Sequence, residues 1–113
     1  MLSFSGSLKI YVAVEPCDMR KGFEGLMAMT ATVFKQDVRS GALFAFSNRR
    51  RSRIKVLYWD GSGLWVLSKR LEKGTFSWPS GEEKTVQLRP EAWTMLTDGV
   101  DLRGVKMRPW YER

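Results

Sequence analysis

The residues best suited to chemistry in this chain lie in the segment 47–55, which reads Ser-Asn-Arg-Arg-Arg-Ser-Arg-Ile-Lys. Five of its side chains are cationic and none is acidic; the cations are Arg49, Arg50, Arg51, Arg53 and Lys55. A guanidinium group can bind two phosphate oxygens at once, and a lysine ammonium adds a point charge. The segment therefore predicts binding to a phosphate-rich polyanion. The alternative interpretation is a solvated charged loop without a partner.

Four more cations could extend this surface. Lys69 and Arg70 lie at the end of a predicted strand, and Arg20 and Lys21 lie at the predicted start of a helix. Exposed backbone N–H groups at a helix start favour anions, and cationic side chains there strengthen that preference. For Arg20 and Lys21 the simpler interpretation is that neighbouring acidic residues compensate their charges locally.

Catalysis has little support in the sequence. Histidine is absent and Cys17 is the only cysteine, which removes the commonest general base, the usual zinc ligands and any disulfide within the chain. The acidic residues that could hold a metal each have a simpler structural role; they are Glu15, Asp18, Glu24, Asp60 and Glu72. We therefore expect no catalytic residue, no metal and no cofactor, and a metal-dependent nuclease is the last hypothesis.

The composition is that of a basic globular domain. Lysine and arginine number 19 against 12 aspartates and glutamates, which gives a formal charge of +7 over 113 residues. Such a charge favours nucleic acid, an anionic membrane or an acidic protein as partner. No apolar run is long enough to span a bilayer, and residues 1–7 do not resemble a signal peptide. We expect one domain over residues 1–113, in the cytoplasm and without a membrane partner.

The pattern of apolar residues predicts an α+β fold, namely a mainly antiparallel sheet of five or six strands with one long helix packed on a face and a shorter C-terminal helix. The strands are predicted over residues 8–14, 42–46, 54–59, 64–69 and 85–88. The long helix is predicted over residues 19–36 with Asp18 as its N-cap, and the shorter one over residues 90–98. The arginine-rich segment thus falls between two strands of one sheet.

Two of these strands are predicted to form a hairpin across residues 60–63, which read Asp-Gly-Ser-Gly. With Gly61 and Ser62 at the tip, the cross-strand pairs are Tyr58–Trp65 and Val56–Leu67 on one face, and Trp59–Leu64 and Leu57–Val66 on the other. Both faces are apolar, so the hairpin needs cover on both sides or presents an aromatic face to a partner. Stacking of these tyrosine and tryptophan rings, or of Trp78, on unpaired bases is an alternative use for them.

Three segments resemble a known family. Residues 15–26, E-P-C-D-M-R-K-G-F-E-G-L, resemble its T-D-M-R-K-x-F-D-G-L motif, and residues 54–64, I-K-V-L-Y-W-D-G-S-G-L, resemble its K-x-L-Y-W-D-x-x-G motif. Residues 69–79, K-R-L-E-K-G-T-F-S-W-P, resemble its K-R-L-E-x-G-x-F-x-W-P motif. The family is the small accessory transposition protein TnpB, the product of the second open reading frame of bacterial insertion sequences of the sixty-six type. The resemblance covers residues 9–102 and leaves a basic tail at 103–113.

This resemblance implies a role in transposition beside a separate transposase that carries out the strand chemistry. The leading hypothesis is a non-catalytic accessory protein that binds DNA at the insertion-sequence ends through the cations named above and assists that transposase. One alternative is a protein-interaction adaptor or dimeric scaffold, in which the apolar hairpin docks the transposase, another protein of the element or a second copy of the chain. RNA binding is a further alternative, since basic charge and aromatic rings suit both nucleic acids.

Overall fold

A mixed sheet forms the centre of the structure. The computed structural model describes residues 8–99 together with the backbone of residues 111–112. The strands are β1 (Ile10–Ala13), β2 (Leu43–Ser47), β3 (Arg53–Trp59), β4 (Leu64–Arg70), β5 (Thr85–Leu88) and the two-residue β6 (Tyr111–Glu112). Apart from the backbone of β6, the predicted basic tail at 103–113 lies outside the described residues, and so does the segment 1–7.

The sheet has the order β4-β3-β2-β1-β5-β6, and one of its strand pairs is parallel. β1 runs parallel to β2, with Ile10 opposite Leu43, whereas all the other neighbouring strands are antiparallel. A parallel pair needs a long crossover connection between its strands. Residues 14–42 supply it, so the predicted α+β class fits, but the sheet is mixed.

The crossover contains one helix that changes its winding partway along. An α-helix, α1 (Phe23–Met29), continues directly into a π-helical segment, Thr30–Phe34, and a 3-10 turn, Val38–Ser40, follows before β2. Inside the π-helical segment, the buried Thr30 hydroxyl donates a hydrogen bond to the Leu26 carbonyl at 2.9 Å. The Leu26 carbonyl thus accepts from both the hydroxyl and the backbone N–H of Thr30 at the point where the winding widens.

The start of α1 differs from the prediction. The helix begins at Phe23 with Gly22 as its N-cap, not at Met19 with Asp18 as its N-cap. The Asp18 carboxylate instead accepts a hydrogen bond from the Arg20 backbone N–H at 2.9 Å and pairs with the Arg20 guanidinium at 2.8 Å. This local turn uses up the capping oxygen, so Arg20 and Lys21 precede the helix and do not lie in its first turn.

The hairpin made by β3 and β4 has the predicted register. Tyr58 lies opposite Trp65 and Val56 opposite Leu67, and the two pairs predicted on the other face are also present. β4 is the edge strand of the sheet, and β3 lies between β4 and β2. The counting from Gly61 and Ser62 is therefore confirmed.

Each face of the sheet has its own apolar core. On one face, α1 and the π-helical segment bury Leu26 and Phe34 against Phe44, Phe46 and Leu57. On the other face lies a second helix, α2 (Pro90–Thr97), which buries a set of side chains together with the loop that follows β4. That set contains Ala92, Trp93, Leu96 and, from the loop, Phe76. Both faces of the central strands are thus covered.

Candidate nucleic-acid interface

The turn between β2 and β3 is built around the side chain of Asn48. Its Oδ1 accepts hydrogen bonds from the backbone N–H groups of Ser52 at 2.9 Å and Arg53 at 3.0 Å. Its Nδ2 donates to the Ser52 hydroxyl at 3.0 Å, and its backbone carbonyl accepts from the Arg51 N–H at 3.1 Å. Asparagine suits this role because its short amide side chain can hydrogen-bond to nearby backbone in turns. The turn is therefore closed from within by one neutral side chain.

Arg49 and Arg50 occupy the two corner positions of this turn. Both residues are exposed, and within residues 8–99 neither is paired with an acidic side chain. Since the backbone on either side is fixed by Asn48, the two guanidinium groups project from a rigid base. The structure thus presents them to solvent in the way that the sequence predicted for the whole arginine run.

Arg51 has a different place. Its backbone is left-handed, with φ of 58°, and its guanidinium donates to the Val14 carbonyl at 2.6 Å and lies 5.7 Å from the centre of the Trp78 ring. The Trp78 indole N–H in turn donates to the Ala13 carbonyl at 2.8 Å. Burial, with the nearby charge of Arg49, lowers the pKa of Arg51 from its usual value. Arg51 therefore fastens the turn to the end of β1.

Arg53 and Arg70 stand directly opposite each other at the ends of β3 and β4. Both are exposed, and both lie on the sheet face that also carries Lys55 and Ser68, the next pair on that face. Like charges placed directly opposite each other repel and destabilise a sheet. Within the described part of the chain, neither arginine has an acidic partner to relieve that repulsion.

Lys55 is half-buried and fixed in position. Its ammonium group donates to the Lys21 backbone carbonyl at 2.8 Å, in the segment just before α1. The β3–β4 pair and this segment enclose a groove of 230 Å³. The residues that line it are Met19, Arg53, Ile54, Lys55, Ser68, Lys69 and Arg70. The structure therefore brings Arg53, Lys55 and Arg70 together in one concave site.

Two predicted members of the surface are engaged elsewhere. The Lys69 ammonium donates to the Thr97 carbonyl at the end of α2, although the residue also lines the groove. Arg20 forms its ion pair with Asp18. The hydrogen bond with the Arg20 guanidinium is the main cause that lowers the pKa of Asp18 to about 2. The charge of Arg20 is thus compensated locally, which was the simpler interpretation of this residue.

Sequence reasoning missed Asn48 and Ser68. An asparagine that follows a strand and precedes a cationic run is a turn signal, so Asn48 could have been found from its position. Ser68 carries no signal of its own, because its place in the groove depends on its pairing with Lys55 across the hairpin.

The Asp60 side chain organises the turn between β3 and β4. The Asp60 carboxylate accepts hydrogen bonds from the Trp65 indole N–H at 2.8 Å and from the backbone N–H groups of Ser62 and Gly63. These hydrogen bonds hold the pKa of Asp60 well below its usual range, and the bond from the indole has the largest effect. Burial raises the pKa of the Cys17 thiol.

Residues 8–99 contain no group of three or more acidic, histidine or cysteine side chains placed to hold a metal. In the same part of the chain, no helix has the length and apolar character needed to cross a membrane.

Comparison with known proteins places these features in context. A family model described as IS66 Orf2 like protein matches residues 8–107. A protein of Sinorhizobium fredii named uncharacterized protein y4jC is 36% identical over 109 residues, which are 96% of this chain and 93% of that protein. A second protein of the same organism, uncharacterized protein y4hO, is 35% identical over 103 residues, covering 91% and 90% of the two chains. No solved structure matches.

Proposed function

This chain belongs to the family of IS66 Orf2-like proteins, and we propose that it is a non-catalytic accessory factor of transposition that binds DNA through the β2–β3 turn and the adjoining groove. The observation that carries this proposal is the clustering, at one end of the β3–β4 hairpin, of exposed cations that have no acidic partner within residues 8–99. They are Arg49, Arg50, Arg53 and Arg70, with Lys55 half-buried beside them.

The arrangement suits a phosphate backbone. Arg49 and Arg50 lie at the tip of a turn that Asn48 holds rigid, so little conformational freedom of the backbone is lost when they bind. Arg53 and Arg70 continue the positive surface along the ends of two strands. Contacts of this kind position a protein on a duplex and carry no base information. Three further cations already bind other groups of the protein and have minor roles in this proposal; they are Arg51, Lys69 and Arg20.

Salt-dependent binding to a DNA duplex tests the proposal. Each phosphate that a cation neutralises adds roughly 0.9 to the slope of log affinity against log salt. The double variant Arg49→Ala/Arg50→Ala should therefore bind more weakly and with a slope smaller by roughly two. The matched control is Lys9→Ala/Lys35→Ala, which also removes two exposed cations, one of them before β1 and the other after the π-helical segment. Equal losses in both variants, or no loss in either, would disprove a role for the turn.

The proposal implies two partners, the transposase and the DNA of the element ends. We expect the protein to act in the bacterial cytoplasm, without a membrane partner. Competition between duplex DNA and RNA of the same sequence separates DNA binding from RNA binding. If RNA displaces DNA at equal concentration, the protein does not discriminate for DNA and the proposed ligand is wrong.

A second candidate function is a protein-interaction adaptor, and exposed apolar side chains favour it. Trp65 is 53% exposed, Phe23 is 51% exposed and Met27 is 36% exposed. Large apolar groups in water are typical of surfaces that a partner covers. Sedimentation of the chain alone and with the transposase, for the native protein and for Phe23→Ser/Met27→Ser, tests this. An unchanged sedimentation coefficient of the native chain on mixing excludes the adaptor with that partner.

A further inference from the structure

The groove between the β3–β4 end and the segment before α1 contains a charge arrangement that is unfavourable on its own. Arg53 and Arg70 are directly opposite each other, and Lys55 lies on the same face one pair further along. Repulsion between such cations disfavours the folded state unless an anion lies among them. Asp18, which precedes Met19 of the groove lining, is occupied by Arg20.

The backbone of this groove is fixed on both strands. The Arg53 N–H is bound to Asn48 Oδ1 at 3.0 Å, and the Leu71 N–H is bound to the Ser52 carbonyl at 2.9 Å, just beyond Arg70. The first bond fixes the start of β3 to the β2–β3 turn, and the second ties the end of β4 to the residue before β3. The two arginine side chains therefore start from neighbouring points of a rigid frame, and this preorganisation lowers the entropic cost of closing on one ligand.

The donors in the groove are of three kinds. The guanidinium groups of Arg53 and Arg70 offer planar forks, and the Lys55 ammonium has three N–H donors, of which the Lys21 carbonyl takes one. The hydroxyl of Ser68, paired with Lys55 across the strands, is a further donor. Cationic donors that converge from two strands suit a tetrahedral anion with several oxygens, because a planar carboxylate has only two.

The size of the groove limits the ligand. Its volume of 230 Å³ lies below the roughly 300–1,000 Å³ of sites that take drug-sized molecules. A phosphate group fits such a space with water around it, whereas a whole nucleotide needs more room. The volume therefore favours a single phosphate group inside the groove.

From these observations we propose that the groove is a seat for one phosphate group, bound by Arg53 and Arg70 with Lys55 and Ser68 beside them. The inference rests on the proposed function, since the phosphodiester backbone of DNA would supply that group. A free phosphate ion is the other source of the same chemistry. Seating one phosphate at a fixed place would set the register of the β2–β3 turn on the duplex.

Thermal unfolding in sodium phosphate, compared with sodium chloride and sodium acetate at equal ionic strength, is the first test. Phosphate should raise the Tm of the native protein above the value in either other salt. In Arg53→Gln/Arg70→Gln this rise should shrink to the general stabilisation that phosphate gives a folded protein by exclusion from its surface. The Tm in chloride should not fall, because the substitution also removes the like-charge repulsion. Lys9→Gln/Lys35→Gln is the matched control, since it removes two exposed cations outside the groove, and it should keep the full phosphate effect. An equal effect of phosphate and chloride on the native protein, or an unchanged phosphate effect in Arg53→Gln/Arg70→Gln, overturns the proposal. A stronger effect of acetate than of phosphate assigns the groove to a carboxylate ligand and also overturns it.

Titration followed by the arginine Nε–Hε resonances is the second test, and it does not depend on stability. Inorganic phosphate should shift the signals of Arg53 and Arg70 and leave those of Arg49 and Arg50 in place. A short duplex should shift both pairs, and when single backbone phosphates are replaced in turn by an uncharged methylphosphonate, the affinity of the native protein should fall most at the position that occupies the groove. If neither phosphate nor the duplex shifts the Nε–Hε signals of Arg53 and Arg70, the proposal that the groove binds a phosphate group is wrong.

The outcomes separate this inference from the proposed function. If DNA binds and the phosphate ion has no selective effect on Arg53 and Arg70, the seat is wrong and the proposed function stands. If the phosphate ion binds at Arg53 and Arg70 and DNA does not bind at all, the proposed function is wrong and free phosphate is the ligand of the groove.

Discussion

The two turns at the ends of β3 are closed by the same device but differ in charge. Asn48 closes the β2–β3 turn through hydrogen bonds from the backbone N–H groups of Ser52 and Arg53. Asp60 closes the β3–β4 turn through hydrogen bonds from the N–H groups of Ser62 and Gly63, and it also binds the Trp65 indole. One turn is organised by a neutral amide and the other by an ionised carboxylate.

This difference shows how a turn can be rigid without losing positive charge. A carboxylate accepts backbone N–H bonds more strongly than an amide oxygen, so aspartate is the stronger organiser of a turn. At Asn48 it would also place a negative charge beside Arg49 and Arg50. The asparagine therefore keeps the turn closed without adding a negative charge beside Arg49 and Arg50, as the proposed phosphate binding requires.

The largest effect is expected where the basic turn is fastened to the sheet. Arg51→Ala removes a charged hydrogen bond to Val14 and the contact with Trp78, and the free energy of unfolding should fall by about 3 kcal/mol. Arg51→Gly loses the same contacts but fits the φ of 58°, so it should be more stable than Arg51→Ala by about 1 kcal/mol. Chemical denaturation measures both. Equal stability of the two variants would show that the left-handed backbone has relaxed.

A smaller effect is expected from making the two turns alike. Asn48→Asp keeps an oxygen for the Ser52 and Arg53 N–H groups, so the unfolding free energy should change little. DNA affinity should fall about fivefold at moderate salt, because a unit charge near a surface phosphate costs about 1 kcal/mol. Fluorescence anisotropy over a range of salt concentrations measures it. If the variant bound DNA as tightly as the native protein, the uncharged state of the Asn48 side chain would have no role in binding.

The acidic turn should respond in the opposite way. Asp60→Asn loses the carboxylate that holds the Trp65 indole, so Tm should fall and the tryptophan emission should change, while DNA affinity stays the same. Because the folded pKa of Asp60 is depressed, its stabilisation is present above about pH 4 and is lost as the pH falls further. The Tm difference between the native protein and Asp60→Asn should therefore shrink on acidification. Weaker DNA binding by this variant would contradict the assignment of binding to the other end of β3.

The register of the β3–β4 hairpin was predictable because it depends on local sequence. The glycine-containing turn at residues 60–63 fixes which side chains lie opposite each other, because the pairs are counted outward from its two-residue tip. The juxtaposition of Arg53 with Arg70 follows from the same count, since they are the last pair of the ladder. The local sequence therefore already determines that Arg53 and Arg70 lie opposite each other.

Other features depended on contacts between distant residues. The parallel pairing of β1 with β2 joins strands separated by the whole crossover, and no local pattern distinguishes it from an antiparallel pairing. Arg51 looks like its neighbours in the sequence, yet Val14 and Trp78 draw its guanidinium inward. The start of α1 was misplaced because Asp18 has an arginine two residues away that competes for the capping oxygen. These three cases are tertiary or side-chain effects that propensity does not contain.

The smallest effect is expected for the exposed ion pair of Asp18 with Arg20, which lies outside both turns. The folded pKa of Asp18, about 2, is below the usual value near 4, so the pair stabilises the protein above about pH 4 and this stabilisation is lost as the pH falls toward 2. Arg20→Gln should lower Tm slightly at pH 6 and by less at pH 2, and added salt should reduce the difference at pH 6. Its DNA affinity should equal that of the native protein, because the charge of Arg20 is already compensated. If Arg20→Gln weakened DNA binding as much as Arg49→Ala, the positive surface would extend to the start of α1, and the contrast between free and compensated cations would not explain binding.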